Sequence, residues 1–92
     1  MKLFARSNDT DQYIVALDIG TEYTKALIAK LVDDELRVVG AGRARQEVGN
    51  MFGGAIADIT GVVKNCEAAL IKAEEQAGVQ AKRWLLVLRA NL

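Results

Sequence analysis

The sequence predicts an α/β fold whose elements follow in the order β-β-β-α-β, with a mixed sheet and one crossover helix. Three observations carry this expectation. Residues 13–19 and 84–88 are almost wholly apolar, as strands covered on both faces are. Residues 58–77 repeat apolar side chains at spacings of three and four, the period of a half-buried helix. Between them, turn-prone residues cut the chain into pieces of strand length.

The first strand is Tyr13-Ile14-Val15-Ala16-Leu17-Asp18-Ile19, ended by Gly20 and Thr21. Residues 23–32, YTKALIAKLV, are rich in alanine and would also suit a helix. Their length and the turn signals on both sides favour a second strand. Asp33-Asp34-Glu35 forms a polar turn, and residues 36–43 alternate loosely with period two, giving a third strand and an antiparallel meander. Residues 46–57 contain Gly49, Gly53 and Gly54 and read as a loop.

Asp58 is placed to cap the helix, because its carboxylate can accept from the free amides of the first turn. Ile59, Val62, Val63, Cys66, Ala69, Leu70 and Ala73 form the expected apolar stripe. Gly61 is a weak point in the first turn, costing up to about 1 kcal/mol relative to alanine, and Gly78 suits a left-handed helix end. A right-handed crossover then lays the last strand parallel to the first. One sheet face would have no cover from the chain itself, so a partner or self-association is expected, and the 92 residues read as part of a larger fold.

Composition narrows the chemistry. There is no His and one Cys, so neither a Ser-His-Asp or Cys-His centre nor an ordinary structural zinc site can be built. No intramolecular disulfide is possible. Lys and Arg balance Asp and Glu at 12 each, which argues against nucleic-acid binding driven by net charge. Residues 1–12 lack the apolar core of a signal peptide and read as a flexible lead-in. No stretch approaches the ~20 apolar residues of a membrane helix.

The sharpest local feature is Asp18-Ile19-Gly20-Thr21-Glu22-Tyr23-Thr24-Lys25. A carboxylate ends a buried strand, a Gly-Thr turn follows, and a lysine stands on the returning strand. The chemistry suits phosphate and magnesium. Gly20 lets a phosphate approach the backbone. Thr21 and Thr24 add hydroxyls, Lys25 adds positive charge, and Asp18 offers hard oxygen ligands to Mg²⁺. The same text fits a plain hairpin with solvated charges at its ends, and Glu22 would repel a phosphate unless its side chain points away.

IVALDIGTEYTKALIAKL resembles the first phosphate-binding motif of the actin-like ATPase superfamily, which includes actin, heat-shock 70 chaperones and sugar kinases. Val38-Val39-Gly40-Ala41-Gly42, Gly53-Gly54-Ala55-Ile56-Ala57-Asp58-Ile59, Val62-Val63 and Ala68 to Gly78 extend the match, in unbroken order over residues 13–88, to the FtsA family of bacterial cell-division proteins. The related PilM family of pilus-assembly proteins is nearly as similar, particularly from Ala77 to Arg83.

The resemblance implies a partial actin-like, ribonuclease H-like subdomain over residues 13–92 and an ATP-binding cytoskeletal protein of the cytoplasm. Gly20, Thr21 and Lys25 would contact phosphates, with Tyr23 and Thr24 in the same loop, and Asp18 would serve Mg²⁺. The partner would be an FtsZ-like or pilus-assembly protein. Attachment to the inner face of the membrane would run through segments absent here.

The family's second phosphate loop, adenosine segment, inserted subdomain and C-terminal amphipathic helix do not follow. Arg89-Ala90-Asn91-Leu92 stands where the family has a Ser-Gly turn. The chain alone is therefore expected to be at most a weak ATPase, with no catalytic residue of its own. A sugar-kinase piece needs a catalytic carboxylate and a second phosphate loop, and neither is found. An interaction module without nucleotide binding is the remaining alternative.

Other residues read more simply. Cys66 is a buried structural thiol. Trp84 packs. Arg43, Arg45, Lys82 and Arg83 are solvated strand ends. Met51-Phe52 folds back on the sheet.

Overall fold

The computed structural model describes residues 13–80 and the backbone of residues 85–91. Seven elements follow in order: β1 (Tyr13–Gly20), β2 (Tyr23–Val32), β3 (Glu35–Arg45), β4 (Met51–Phe52), β5 (Ala55–Ile56), α1 (Ile59–Ala77) and β6 (Leu85–Asn91). The main sheet has the order β3-β2-β1-β6. β1 and β2 are antiparallel, as are β2 and β3, while β6 lies parallel to β1. The meander, single crossover helix and parallel fourth strand are those the sequence predicts, consistent with an actin-like, ribonuclease H-like α/β fold. The 1–12 lead-in, Lys82, Arg83 and Trp84 lie outside the described residues.

Local chemistry explains the turns. Asp33 and Asp34 both take positive φ, 50° and 65°. Two such residues match the twist of a tight hairpin, and Asp tolerates this region better than most. The loop expected over residues 46–57 instead contains the small β4–β5 ribbon, turned by Gly53 and Gly54 at φ 59° and 78°. Its alternation splits the Met51-Phe52 pair: Met51 is buried against Ile19 and Val62, whereas Phe52 is 82% exposed. β3 runs to Arg45, two residues beyond expectation, and a register shift between Ile28 and Ala29 leaves Val39 as the extra residue of a bulge.

The pairing register sorts the sheet's side chains. Ile19, Leu17 and Val15 face the helix together with Thr24, Ala26 and Ile28 and with Ala44, Gly42 and Gly40. The helix lies over β2 and β3 at very close range. A Cβ on Gly40 would strike the Ala73 carbonyl, and one on Gly42 would strike the Ala69 carbonyl. Ala26, Ala69 and Ala73 are fully buried at this contact.

α1 is capped as the sequence predicts. Asp58 Oδ1 accepts from the Gly61 N–H at 3.0 Å, and Gly78 at φ 72° donates its N–H to the Glu74 carbonyl at 2.8 Å. The expected single apolar stripe divides in two. Val62, Asn65, Ala69 and Ala73 are buried, while Ile59 and Val63 are 72% and 50% exposed. The second row overhangs β1, and an apolar groove of about 440 Å³ opens between Val15, Leu17, Ile19, Ile59, Val63 and Leu70.

The helix also covers the free edge of β3. Asn65 Nδ2 donates to the Arg45 carbonyl at 2.7 Å, Lys72 Nζ donates to the Arg43 carbonyl at 3.0 Å, and the Ala41 N–H donates to Gln76 Oε1 at 2.6 Å. An exposed edge would otherwise offer these groups to another strand. Among the described residues no helix is long and apolar enough to cross a membrane.

The close helix–sheet contact leads to a stability prediction. Gly42→Ala should destabilise the chain by about 1–3 kcal/mol, the usual range for overpacking a tight contact. Urea unfolding should show a lower midpoint with little change in slope.

Candidate functional site

The turn between β1 and β2 needs a glycine for reasons of space. A Cβ on Gly20 would lie 2.9 Å from the Tyr23 carbonyl oxygen. Gly20 is half-buried, and Thr21 and Glu22 are exposed at the tip. β1 and β6 are parallel, and Gly20 pairs with Asn91. The turn therefore stands at the carboxyl edge of the parallel pair, the side on which open α/β sheets bind ligands.

The sheet's pleat divides the sequence motif between two faces. Asp18 and Lys25 are directly paired across β1 and β2, on the face away from the helix. Lys25 is paired in turn with Arg43 of β3. One transverse row thus reads Asp18–Lys25–Arg43. Asp18 Oδ1 is buried and has no hydrogen-bond partner among the described residues. A shallow recess of about 280 Å³ lies beside this row on the side away from the turn, bounded by Lys25, Arg43, Leu27 and Ala41, and Asp18 does not line it.

Tyr23 shares the face and is paired with Arg45. Its ring lies under two guanidinium groups, with Arg43 Cζ 4.7 Å and Arg45 Cζ 5.8 Å from the ring centre. Arg45 Nη1 also reaches the Tyr23 hydroxyl at 3.5 Å. These arginines are exposed on the strand, as expected, but they are gathered on an aromatic ring beside the turn rather than dispersed into solvent.

Thr24 points the other way. It is fully buried on the helix side, and its Oγ1 accepts from Gln46 Nε2 at 3.0 Å. The structure therefore brings Asp18, Tyr23 and Lys25 to one face beside Gly20 and Thr21, and it does not bring Thr24 with them.

What Thr24 joins is a buried lock that sequence reasoning missed. Gln46 Nε2 also donates to the Gly20 carbonyl at 3.2 Å, and the Gln46 N–H donates to the Glu22 carbonyl at 2.7 Å. Asn50 Nδ2 donates to Gln46 Oε1 at 3.0 Å, and the Asn50 carbonyl accepts from the Ala57 and Asp58 N–H groups. The Asn50 side chain lies so close to Gly61 that a Cβ there would strike its Oδ1. Gly61 thus makes room for the buried Asn50 side chain at the point where propensity marked a weakness. The one signal in the sequence was a pair of amide side chains four residues apart, Gln46 and Asn50, at the start of the glycine-rich stretch.

Cys66 is half-buried beside this lock. Burial raises its thiol pKa above the usual value, and a contact with the Thr24 hydroxyl partly offsets the effect. Among the described residues no group of three or more His, Cys, Asp or Glu side chains could hold a metal ion. Any divalent cation at Asp18 would thus need most of its ligands from outside these residues.

No protein-family model matches the chain. Individual relatives do. The chain is 40% identical over 78 residues to the cell division protein FtsA of Enterococcus hirae, covering 85% of this chain and 17% of that protein. It is 36% identical over 78 residues to FtsA of Enterococcus faecalis, again at 85% and 17% coverage. FtsA of Bacillus subtilis is 31% identical over 84 residues, covering 91% of this chain and 18% of the relative. The chain is thus homologous to FtsA over most of its own length and spans less than a fifth of theirs. A solved Ppx/GppA-family structure from Aquifex aeolicus superposes with a TM-score of 0.42 at 11% identity, over 87% of this chain and 35% of that one.

Two predictions concern the lock. Gln46→Ala removes the amide donor shared by the Thr24 hydroxyl and the Gly20 carbonyl and should cost about 1–3 kcal/mol. Chemical denaturation measures the loss, and faster amide exchange around residues 20–24 should accompany it. The raised thiol pKa lowers the thiolate fraction at pH 8. Cys66 should therefore react with a disulfide reagent more slowly in the folded chain than in urea, with the reactive limb of its pH profile displaced upward.

Proposed function

We propose that this chain is the first phosphate-loop unit of an FtsA-type, actin-like ATP-binding protein of bacterial cell division. One observation carries the proposal: the stretch homologous to FtsA contains the Asp18-to-Lys25 motif, and Asp18 and Lys25 stand directly paired beside the Gly20-Thr21 turn. The relatives reported above favour the division-type reading over the pilus-type one.

In this role the Gly20-Thr21 turn approaches the phosphates, because Gly20 presents no side chain there. Thr21 donates its hydroxyl. Lys25 neutralises phosphate charge from the returning strand. Asp18 fits a magnesium ion through its unpartnered, buried Oδ1. Magnesium commonly keeps several waters and takes one or two carboxylates together with substrate phosphates, so a lone carboxylate is a suitable donor set. When bound, the ion would supply charge neutralisation between phosphate oxygens. Thr24 holds the turn from beneath and touches no ligand. The tether to an FtsZ-like partner and placement at the inner face of the cytoplasmic membrane are proposed for the whole protein. The chain alone would bind nucleotide weakly and turn it over little or not at all.

Titration of the isotope-labelled chain with Mg-ATP, followed by two-dimensional NMR, tests the proposal. Saturable shifts are expected at Gly20, Thr21 and Lys25, abolished in Lys25→Ala. Asp18→Asn should remove the difference in affinity between ATP with and without Mg²⁺. Absence of saturable shifts up to millimolar Mg-ATP would sink the phosphate-loop assignment. Self-association is also proposed, through the apolar groove and the sheet face away from the helix. Sedimentation velocity should then show a coefficient that rises with concentration, and a monomer at every concentration would refute it.

A further inference from the structure

We propose that Arg43, held on the Tyr23 ring, is a second phosphate-binding cation that works with Lys25 on the same polyphosphate. The inference rests on the phosphate-loop reading above and adds to it a residue from β3, outside the motif. Lys25 and Arg43 are directly opposite on neighbouring strands, on the face that also carries Asp18. Like charges in that relation destabilise a sheet, and both side chains are exposed. Neither forms an ion pair among the described residues. Among the described residues, then, two facing cations stand side by side without an ion pair, although Asp18 lies across from Lys25 on the other side.

The arginine is also aimed. Its guanidinium lies 4.7 Å from the ring centre of Tyr23, two residues nearer the turn than its own cross-strand partner Lys25. The Arg45 guanidinium lies 5.8 Å from the centre of the same ring. Stacking on an aromatic face costs a guanidinium none of its edge N–H donors, which remain free for a bidentate contact with phosphate oxygens. A nucleoside triphosphate carries several negative charges, more than Lys25 alone can balance. Arg43 supplies a second positive charge on the side of β2 opposite Asp18. The acidic and basic groups of the row then serve the cation and the phosphates of one ligand.

The test measures Mg-ATP and inorganic tripolyphosphate binding to the full 92-residue chain by NMR titration, comparing wild type with Arg43→Ala, Arg43→Lys and Arg37→Ala. Chemical-shift dispersion verifies the fold of each variant. Arg43→Ala is expected to weaken both ligands by at least about fivefold, since a contact to phosphate ignores the nucleoside. Arg43→Lys should recover part of that loss. Arg37→Ala, on the same strand beyond the bulge, should bind as wild type does. If wild type binds Mg-ATP and Arg43→Ala binds it equally well, the role of Arg43 is overturned and the phosphate loop stands. If Arg37→Ala weakens binding as much as Arg43→Ala, only net charge matters, and the assignment of Arg43 is again overturned. If wild type binds neither ligand, the phosphate-loop reading falls and this inference falls with it.

Discussion

The contact between α1 and β3 is the constraint on which the rest of the arrangement depends. Gly40 and Gly42 bring the helix backbone down to the strand, opposite Ala69 and Ala73. That proximity puts Asn65, Lys72 and Gln76 within reach of the outer edge of β3. It also draws the helix to one side of the sheet. β2 and β3 are covered by small side chains, while Val15 and Leu17 of β1 face a groove. One pair of glycines thus accounts for both the sealed edge of β3 and the groove over β1.

The same docking reaches the turn through the lock. Asn50 lies against Gly61 in the first helical turn and donates to Gln46, and Gln46 holds the Gly20 carbonyl and the Thr24 hydroxyl. The position of the helix start is thereby transmitted to the β1–β2 turn through amide groups with well-defined partners. Buried polar groups are costly unless satisfied, so the lock favours one turn geometry over the alternatives a glycine would permit. Fixing the turn in advance reduces the ordering that ligand binding would require.

Much of the fold was legible because it follows from local periodicity. The run from Tyr13 to Ile19 required a strand, Asp58 and Gly78 marked the helix ends, and residues 23–32 resolved as strand despite their alanines. Their alternation decides it: Thr24, Ala26 and Ile28 are buried while Lys25 and Leu27 are exposed, a period of two that no helix presents. The division of the helix stripe was illegible for a different reason. Helical spacing shows which side chains share a face, but how far that face is covered depends on the width of what lies below. Here a sheet contact made of glycine and alanine left Ile59 and Val63 uncovered. The β4–β5 ribbon escaped notice because two-residue strands carry too little pattern to see.

The candidate site shows the same limit in sharper form. Residues 18–25 read as one motif because they are continuous, yet the pleat assigns them alternately to opposite faces. Thr24 and Lys25 are adjacent in the chain, and one is sealed under the sheet while the other reaches solvent. A hydroxyl valued in the sequence as a phosphate donor is used instead to hold the turn. An arginine dismissed as a solvated strand end stands directly across from the motif's lysine. Cross-strand register, which depends on the Asp33-Asp34 turn and the bulge beyond Ile28, makes that exchange. A one-residue slip at either place would put Arg43 on the helix side, where Ala69 and Ala73 leave no room for it. The small-residue packing of α1 on β3 therefore also keeps a basic side chain on the face of Asp18 and Lys25.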